Sequence, residues 1–425
     1  MDQVRQWYDA YVAHRFAAIE PLVVARAEGT RLWDQEGREY LDCFSGISVV
    51  NLGHRHPAVI AAVRSQLERL VHCNSYTYYV PEVAQLARQL AEITPGRLQK
   101  SFFSNSGAEA VEAAMRMAKA YTGRSEFIAL ERGFHGRTLG TLALTGNAGR
   151  RRKGGPYVPG VAFAPTPVRL ASRPDETPAQ VVERAVEGLE NAFRYQTSGA
   201  VAAVIVEPVL GEGGILVPPP EYLPRVREVA DRYGALLIVD EVQTGFGRTG
   251  RMFAIEHYGV EPDIMTLAKG IADGFPLGAT VAKAEIADSL GPGEHLSTFG
   301  GNPVSVAAAL ANLEEIIRLD LPAAAARKGA IALTRLQQWA QGCAGVREVR
   351  GLGLMIGIEL GDVSGPRPDW AVAARAHARQ AGVLIGVGGP EGNVLRLQPP
   401  LVISEADWLR ALEVIEAAVA AAVSG

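Results

Sequence analysis

Short apolar runs alternate with helically spaced ones through the middle of this chain. The segments "SEFIALE" (125–131), "AAVIVEP" (202–208), "ALLIVDE" (235–241), "DIMTLAK" (263–269) and "GATVAK" (278–283) are too short for helices. They are rich in Ile, Val and Leu, as strands buried on both faces are. Between them, "SGAEAVEAAMRMAKAYTG" and "PPEYLPRVREVADRYG" carry helical spacing and end at Gly123 and Gly234, a common stop signal. This alternation predicts an α/β fold, a largely parallel sheet covered by helices on both faces. Further on, "PVSVAAALANLEEIIRL" reads as a long helix, followed by more helix and by strands near "GLMIGIEL", "GVLIGV" and "VLRLQPPLVI". The expected organisation is an N-terminal arm with a hairpin over 1–50, a large domain over 51–310 and a smaller α/β domain over 311–425.

Composition narrows the classes. A chain of 425 residues with 48% hydrophobic positions has ample material for a buried core. Its net charge of -4 gives no electrostatic reason to expect nucleic acid. The one cationic cluster, Arg150, Arg151, Arg152 and Lys153, sits in a Gly-rich loop and reads as a solvated tip. Cys43, Cys73 and Cys343 are widely spaced with no CxxC, which points to a reducing compartment and away from zinc or a disulfide framework. The opening "MDQVRQWYDAYVAHRF" is charged throughout and has no signal-peptide core, and no apolar run is long enough to span a bilayer. A soluble cytoplasmic protein without membrane partners is expected.

Lysine occurs only at positions 100, 119, 153, 269, 283 and 328, whereas arginine is plentiful, so a lysine in an apolar setting needs a reason. Lys269 ends a strand-like run and precedes Gly270, placing its amine at the carboxyl edge of the sheet, where open α/β sheets bind ligands. Desolvation there lowers an ammonium pKa and frees a nucleophilic amine. Asp240 ends the neighbouring run, and a buried carboxylate requires a cationic or hydrogen-bonding partner. A protonated pyridine nitrogen is such a partner, and Lys with Asp is the pairing that pyridoxal phosphate chemistry needs. The alternative for each residue alone is a strand-end charge reaching solvent. In "SNSGAEAVEAAM", Ser106 and Glu109 stand at capping-box spacing, and Gly107 lets the backbone approach an anion at the helix start. An ordinary capped helix explains the same residues. "GGNPVSV" repeats the pattern, with Asn302 as cap and Pro303 at the first helical position.

The stretch "DEVQTGFGRTG" contains a GxGxxG match at Gly245, Gly247 and Gly250. A dinucleotide fingerprint places its first glycine in the turn directly after the strand, and here Asp240 to Thr244 intervene.

The motifs "NSGAEAVEAAMRMAKA", "FHGRT", "EPVLGEGG", "DEVQTGFGRTG", "LAKGI" and "STFGGNP", in this order, make the chain resemble the class III aminotransferases of the fold type I pyridoxal phosphate enzymes. The resemblance runs from "YLDCFSGI" to "LRLQPPLVI" and implies a mostly parallel, seven-stranded-type sheet in a large domain, with a small domain built from both ends of the chain. It implies that Ser106, Gly107 and Ala108 hold the cofactor phosphate and that Phe134 stacks on the pyridine ring beside His135. By the same resemblance, Gln243 bonds the ring 3′-oxygen, Asp240 pairs with N1 and Lys269 is the Schiff-base lysine. Thr298 resembles the residue that reaches the phosphate of a neighbouring subunit, implying a homodimer with shared sites, with pairing into a tetramer left open.

Three residues then address the substrate. Arg396 resembles the arginine for an α-carboxylate, Glu212 the glutamate that neutralises it, and Arg137 the arginine for a distal carboxylate. Ile47 stands where ornithine aminotransferases carry a tyrosine; 4-aminobutyrate and acetylornithine types share the apolar residue. Tyr76, Tyr78 and Tyr79 are candidates for the entrance. The implied activity is ping-pong transfer from an amino donor, 4-aminobutyrate-like by preference, to 2-oxoglutarate or another oxo acid through pyridoxamine phosphate. The alternatives are acetylornithine, ornithine or alanine–glyoxylate transamination, and racemisation or epimerisation of an amino acid on the same scaffold. A ligand sensor descended from the fold is expected to lack Lys269 or to carry a DNA-binding domain, and this chain does neither.

Overall fold

The computed structural model describes residues 2–14, 19–168 and 175–424. Parts of the expected arm, residues 1 and 15–18, lie outside the described residues. What is described there includes a helix, Asp2–Tyr11, and a hairpin, β1 (Val24–Glu28) with β2 (Arg31–Asp34), extended by β3 (Glu39–Asp42).

The predicted alternation builds a seven-stranded sheet from β4 (Leu98–Ser104), β5 (Glu126–Leu130), β6 (Val161–Ala164), β7 (Val201–Val206), β8 (Leu236–Asp240), β9 (Ile264–Leu267) and β10 (Gly278–Lys283). The strand order is β4-β10-β9-β8-β7-β5-β6, and β10 alone runs against the rest. Side chains of one strand alternate between faces. Val204 and Val206 of β7 therefore join one core with the helices Pro178–Tyr195 and Tyr222–Arg232, while Ala203 and Ile205 join another with the helix Gly107–Thr122. Both faces are covered, which is why these runs are apolar at every position.

C-terminal to this sheet, β11 (Val346–Leu352), β12 (Met355–Asp362), β13 (Gly365–Pro366), β14 (Val383–Leu384), β15 (Gly386–Gly388) and β16 (Val394–Leu397) follow two long helices, Pro303–Arg318 and Leu321–Ala340. Asn302 caps the first with its side chain, which accepts from the amides of Val304 and Ser305, and Pro303 opens it. β14 pairs in parallel with β3, Val383 opposite Leu41, so the two ends of the chain share one sheet.

The glycine-rich stretch after β8 serves this junction. Gly247 and Gly250 adopt φ of 90° and 95°. A Cβ on Gly247 would stand 3.1 Å from Leu401, and one on Gly250 would stand 2.9 Å from Ala326. Arg248, fully buried, donates to the carbonyls of Leu354 and Pro399 and to Asn51 Oδ1. Burial pushes its guanidinium down to about 9. Glu241, also fully buried, accepts from the Ile255 amide at 2.8 Å and from the Thr244 hydroxyl. Its burial raises the carboxyl to about 7. The stretch is a hinge of packing between the two sheets.

Backbone meets backbone at the same junction. A Cβ on Gly329 would stand 2.1 Å from the Gly353 carbonyl oxygen, and one on Gly353 would stand 2.5 Å from Thr249. Helix propensity alone makes Gly329→Ala stabilising by roughly 1 kcal/mol. Overpacking costs about 1–3 kcal/mol and here falls on unyielding backbone, so the clash wins. We expect G329A to lower the urea midpoint followed by tryptophan fluorescence; a midpoint equal to or above the parent's would contradict this packing.

Candidate active site

The carboxyl ends of β7, β8 and β9 open onto a cavity of about 340 Å³. Its wall includes Ser106, Gly107, Ala108, Phe134, His135, Glu207, Glu212, Asp240, Val242, Gln243 and Lys269. Nine of the residues singled out in the sequence are thus brought together.

Lys269 lies two residues past β9 at φ 48°, a left-handed conformation that a side-chain-bearing residue keeps only when its surroundings impose it. Burial and then the nearby Arg396 charge lower its amine pKa, outweighing the opposite pull of Asp240, Glu212 and Glu207. The other five lysines are absent from the cavity wall. Lys283, for one, is paired with Asp263.

Asp240 ends β8 almost fully buried. Its Oδ2 lies 2.8 Å from Nδ1 of His135, and its Oδ1 accepts from the Val242 amide at 3.1 Å. His135 is itself buried, and its Nε2 has no hydrogen-bond partner among the described residues. Sequence reasoning missed Glu207, although it directly follows β7 and carries the same signal as Asp240, a carboxylate closing an apolar run. It accepts from the amides of Phe134 (2.8 Å) and Gly211 (3.0 Å), fixing both loops against the sheet edge. Burial raises its carboxyl to about 7 despite the neighbouring His135.

The helix Gly107–Thr122 points its N-terminus at the cavity. The Ser106 hydroxyl accepts from the Glu109 amide at 3.2 Å, as expected, but the returning Glu109 carboxylate takes the Asn105 amide rather than that of Ser106. The capping box is therefore shifted by one residue on one arm. Among the described residues nothing accepts from the amides of Gly107 and Ala108. A Cβ on Gly107 would stand 2.8 Å from Val242, so only glycine leaves this floor open.

Arg396 on β16 is 2% exposed and donates to Glu212 Oε1 at 2.6 Å and to Gln243 Oε1 at 3.1 Å. The Gln243 oxygen also accepts from Gln398, leaving its amide NH₂ without a partner among the described residues. Glu212 sits below its usual pKa: burial acts upward and is overcome by Arg396, then by Arg150 and Lys269.

Four expected site residues stand off the wall, and of these Arg396 hydrogen-bonds the lining residues Glu212 and Gln243. Ile47 is 41% exposed within a turn in which Ser45, Gly46, Ile47 and Ser48 all have positive φ; Val49 lines the cavity instead. Arg137 is exposed, its guanidinium 5.3 Å from the Phe134 ring centroid. Thr298 is exposed on the surface beside the exposed Leu296 and Phe299. None of the three tyrosines lines the cavity: the Tyr76 hydroxyl donates to the Phe103 carbonyl, and Tyr78 and Tyr79 are exposed.

The arrangement fits pyridoxal 5′-phosphate. Two unengaged helix amides suit its phosphate, a buried carboxylate held by a histidine suits its ring nitrogen, and a desolvated amine suits its aldehyde. The model of the family described as "Aminotransferase class-III" matches residues 11–419. The chain is 43% identical over 408 residues to an acetylornithine aminotransferase of Methanopyrus kandleri, covering 96% of each chain. It is 43% identical over 399 residues to a putrescine aminotransferase of Pectobacterium atrosepticum, covering 91% of this chain and 80% of the relative. An amine transaminase from an uncultivated Pseudomonas species, solved in its PLP-bound form, superposes with a TM-score of 0.90 at 36% identity, covering 96% of this chain and 98% of that one. This chain belongs to the class III aminotransferases, enzymes of fold type I whose cofactor is pyridoxal 5′-phosphate.

Proposed function

We propose that this enzyme moves the amino group of an ω-amino acid, with a carboxylate at its far end, to 2-oxoglutarate. The observation that carries the reading is the 2.6 Å ion pair between Glu212 and Arg396. While the pair is closed, no free cation awaits a carboxylate on the reacting carbon, which suits a donor bearing only hydrogens there. When Glu212 withdraws, the Arg396 fork meets the α-carboxylate of the acceptor bidentately. In this reading Arg137, exposed with its guanidinium 5.3 Å from the Phe134 ring centroid, receives the distal carboxylate of either substrate. 4-Aminobutyrate remains the preferred donor for the apolar Ile47. N-acetylornithine, the substrate in the name of several relatives, has the same ends and is the competing donor of this class.

When bound, pyridoxal 5′-phosphate supplies an aldehyde that captures amines and a ring that accepts electrons from the donor carbon. Lys269 would hold the aldehyde in the resting enzyme and, once released, would serve as the base that takes a proton from the donor carbon. General base catalysis of this kind is worth roughly 10²–10⁴-fold. Asp240, steadied by His135, would keep a proton on the ring nitrogen. Ser106, Gly107 and Ala108 would hold the phosphate, Phe134 and Val242 would flank the ring, and the Gln243 amide would donate to the 3′-oxygen. In this reading residues 51–310 form the cofactor domain, 1–50 and 311–425 the remainder. Thr298 on its exposed surface serves the phosphate of a second subunit in a cytoplasmic homodimer.

The test is a half-reaction. Loaded enzyme is mixed with 4-aminobutyrate, N-acetylornithine or L-alanine without acceptor, and the visible absorbance of the cofactor is followed. We expect rapid bleaching with an ω-amino donor and recovery on adding 2-oxoglutarate. Bleaching by L-alanine alone would contradict the donor class, and no bleaching alongside racemisation of an α-amino acid would move the assignment to a racemase. A second test concerns the cradle. Gly107→Ala should raise the dissociation constant for the cofactor by about tenfold or more, in fluorescence titration of the cofactor-free protein. An unchanged constant would remove the helix N-terminus from the cofactor site.

A further inference from the structure

The cationic cluster that reads as a solvated tip does not behave as one. Arg151 lies over the rings of Tyr157 and Phe163, at 5.3 and 5.0 Å. Arg150, on the short helix Ala148–Arg151, reaches into the site and places Nη2 3.1 Å from Glu212 Oε2. Glu212 therefore spans two arginines, with Oε1 on Arg396 and Oε2 on Arg150. The three side chains form a gradient of exposure: 2% for Arg396, 18% for Glu212 and 38% for Arg150.

We propose that Arg150 is a specificity-determining residue that holds Glu212 when the glutamate leaves Arg396, and so favours the form of the site that accepts the α-carboxylate of an oxo acid. The inference rests on the reading of Glu212 and Arg396 as an opening pair, and it concerns what receives the glutamate once the pair is open.

The physical case compares two states. With the pair closed, Glu212 keeps Arg396 as a partner whether or not Arg150 is present. With the pair open, Arg396 is taken by the incoming carboxylate, and Glu212 depends on Arg150. Leaving a mostly buried carboxylate without a cation is far more costly than thinning a double pairing to a single one. Removing Arg150 therefore penalises the open state and spares the closed one. The guanidinium is partly exposed and sits at the end of a flexible side chain, so it can follow the carboxylate outward. Arg150 thus acts through Glu212 as a positioning residue and touches neither the cofactor nor the reacting carbon.

The test measures binding of glutarate, which presents both carboxylates of the acceptor without its oxo group, to the cofactor-loaded enzyme by calorimetry. The proteins compared are the parent, R150Q, R150K, E212Q and E212Q/R150Q. If Glu212 gates Arg396, E212Q binds glutarate more tightly than the parent; unchanged or weaker binding defeats the gate itself. Given a working gate, R150Q should bind glutarate about tenfold more weakly than the parent, a loss between those of an exposed and a buried charge pair. R150K should recover most of that loss, and R150Q should cost less than twofold in the E212Q background. Glutarate affinity of R150Q within twofold of the parent would overturn the role of Arg150 while leaving the gate standing. An equal loss in both backgrounds would show Arg150 acting on the ligand directly and would overturn the role through Glu212.

Discussion

Charges taken out of water at the carboxyl edge of the seven-stranded sheet govern the design of this molecule. Lys269, Asp240, Glu207 and Glu212 share one cavity of about 340 Å³. A buried ionised group without a partner is costly enough that it either neutralises or finds a counterpart. Each of the four is answered. Asp240 has His135 and the Val242 amide, Glu207 has two backbone amides, and Glu212 has two arginines. The Lys269 amine, desolvated by burial and then repelled by Arg396, gives up part of its affinity for a proton. Function follows from that compromise, because an amine that releases its proton readily is a nucleophile and a base.

The surrounding fold can be read as the means of holding these partners in register. Asp240 and Thr266 are opposite one another across β8 and β9, which sets where the chain leaves β9 towards Lys269. Glu207 ties the Phe134 loop and the Gly211 loop to the end of β7, so the ring-bearing residue and the Glu212 loop share one anchor. Arg396 arrives from β16, whose place depends on the backbone-to-backbone packing of Gly329, Gly353 and the glycine-rich stretch. Packing far from the chemistry thereby fixes the distance between the Arg396 fork and the Lys269 amine.

Much of this was legible in the sequence because it depends on short-range patterns. Apolar runs closing on Asp240 and Lys269 located both residues at the sheet edge, and helix-start chemistry located Ser106 and Gly107. Resemblance supplied Gln243, Glu212 and Arg396, whose placement around the cavity no local pattern discloses. Other features depend on contacts that sequence spacing does not encode. Arg150 meets Glu212 across 62 residues, so its loop read as solvent-facing. Glu207 carried the same signal as Asp240 and was passed over. The left-handed turn through Ile47 runs against the intrinsic preference of Ser and Ile, and only tertiary packing explains such a backbone. Ile47, Arg137 and Thr298 stand outside the cavity wall, and no local sequence pattern distinguishes them from residues that line it.

We infer that the Lys269 amine, desolvated beside Asp240 and Arg396, is the group that captures the cofactor. The most direct measurement follows covalent capture of pyridoxal 5′-phosphate by the cofactor-free protein as a function of pH, with borohydride trapping and peptide mapping. We expect a single modified lysine at position 269 and a capture profile whose midpoint lies below the ordinary lysine value of 10.5. Modification centred on Lys283 or Lys119, or capture at Lys269 with the midpoint of a free lysine side chain, would contradict it.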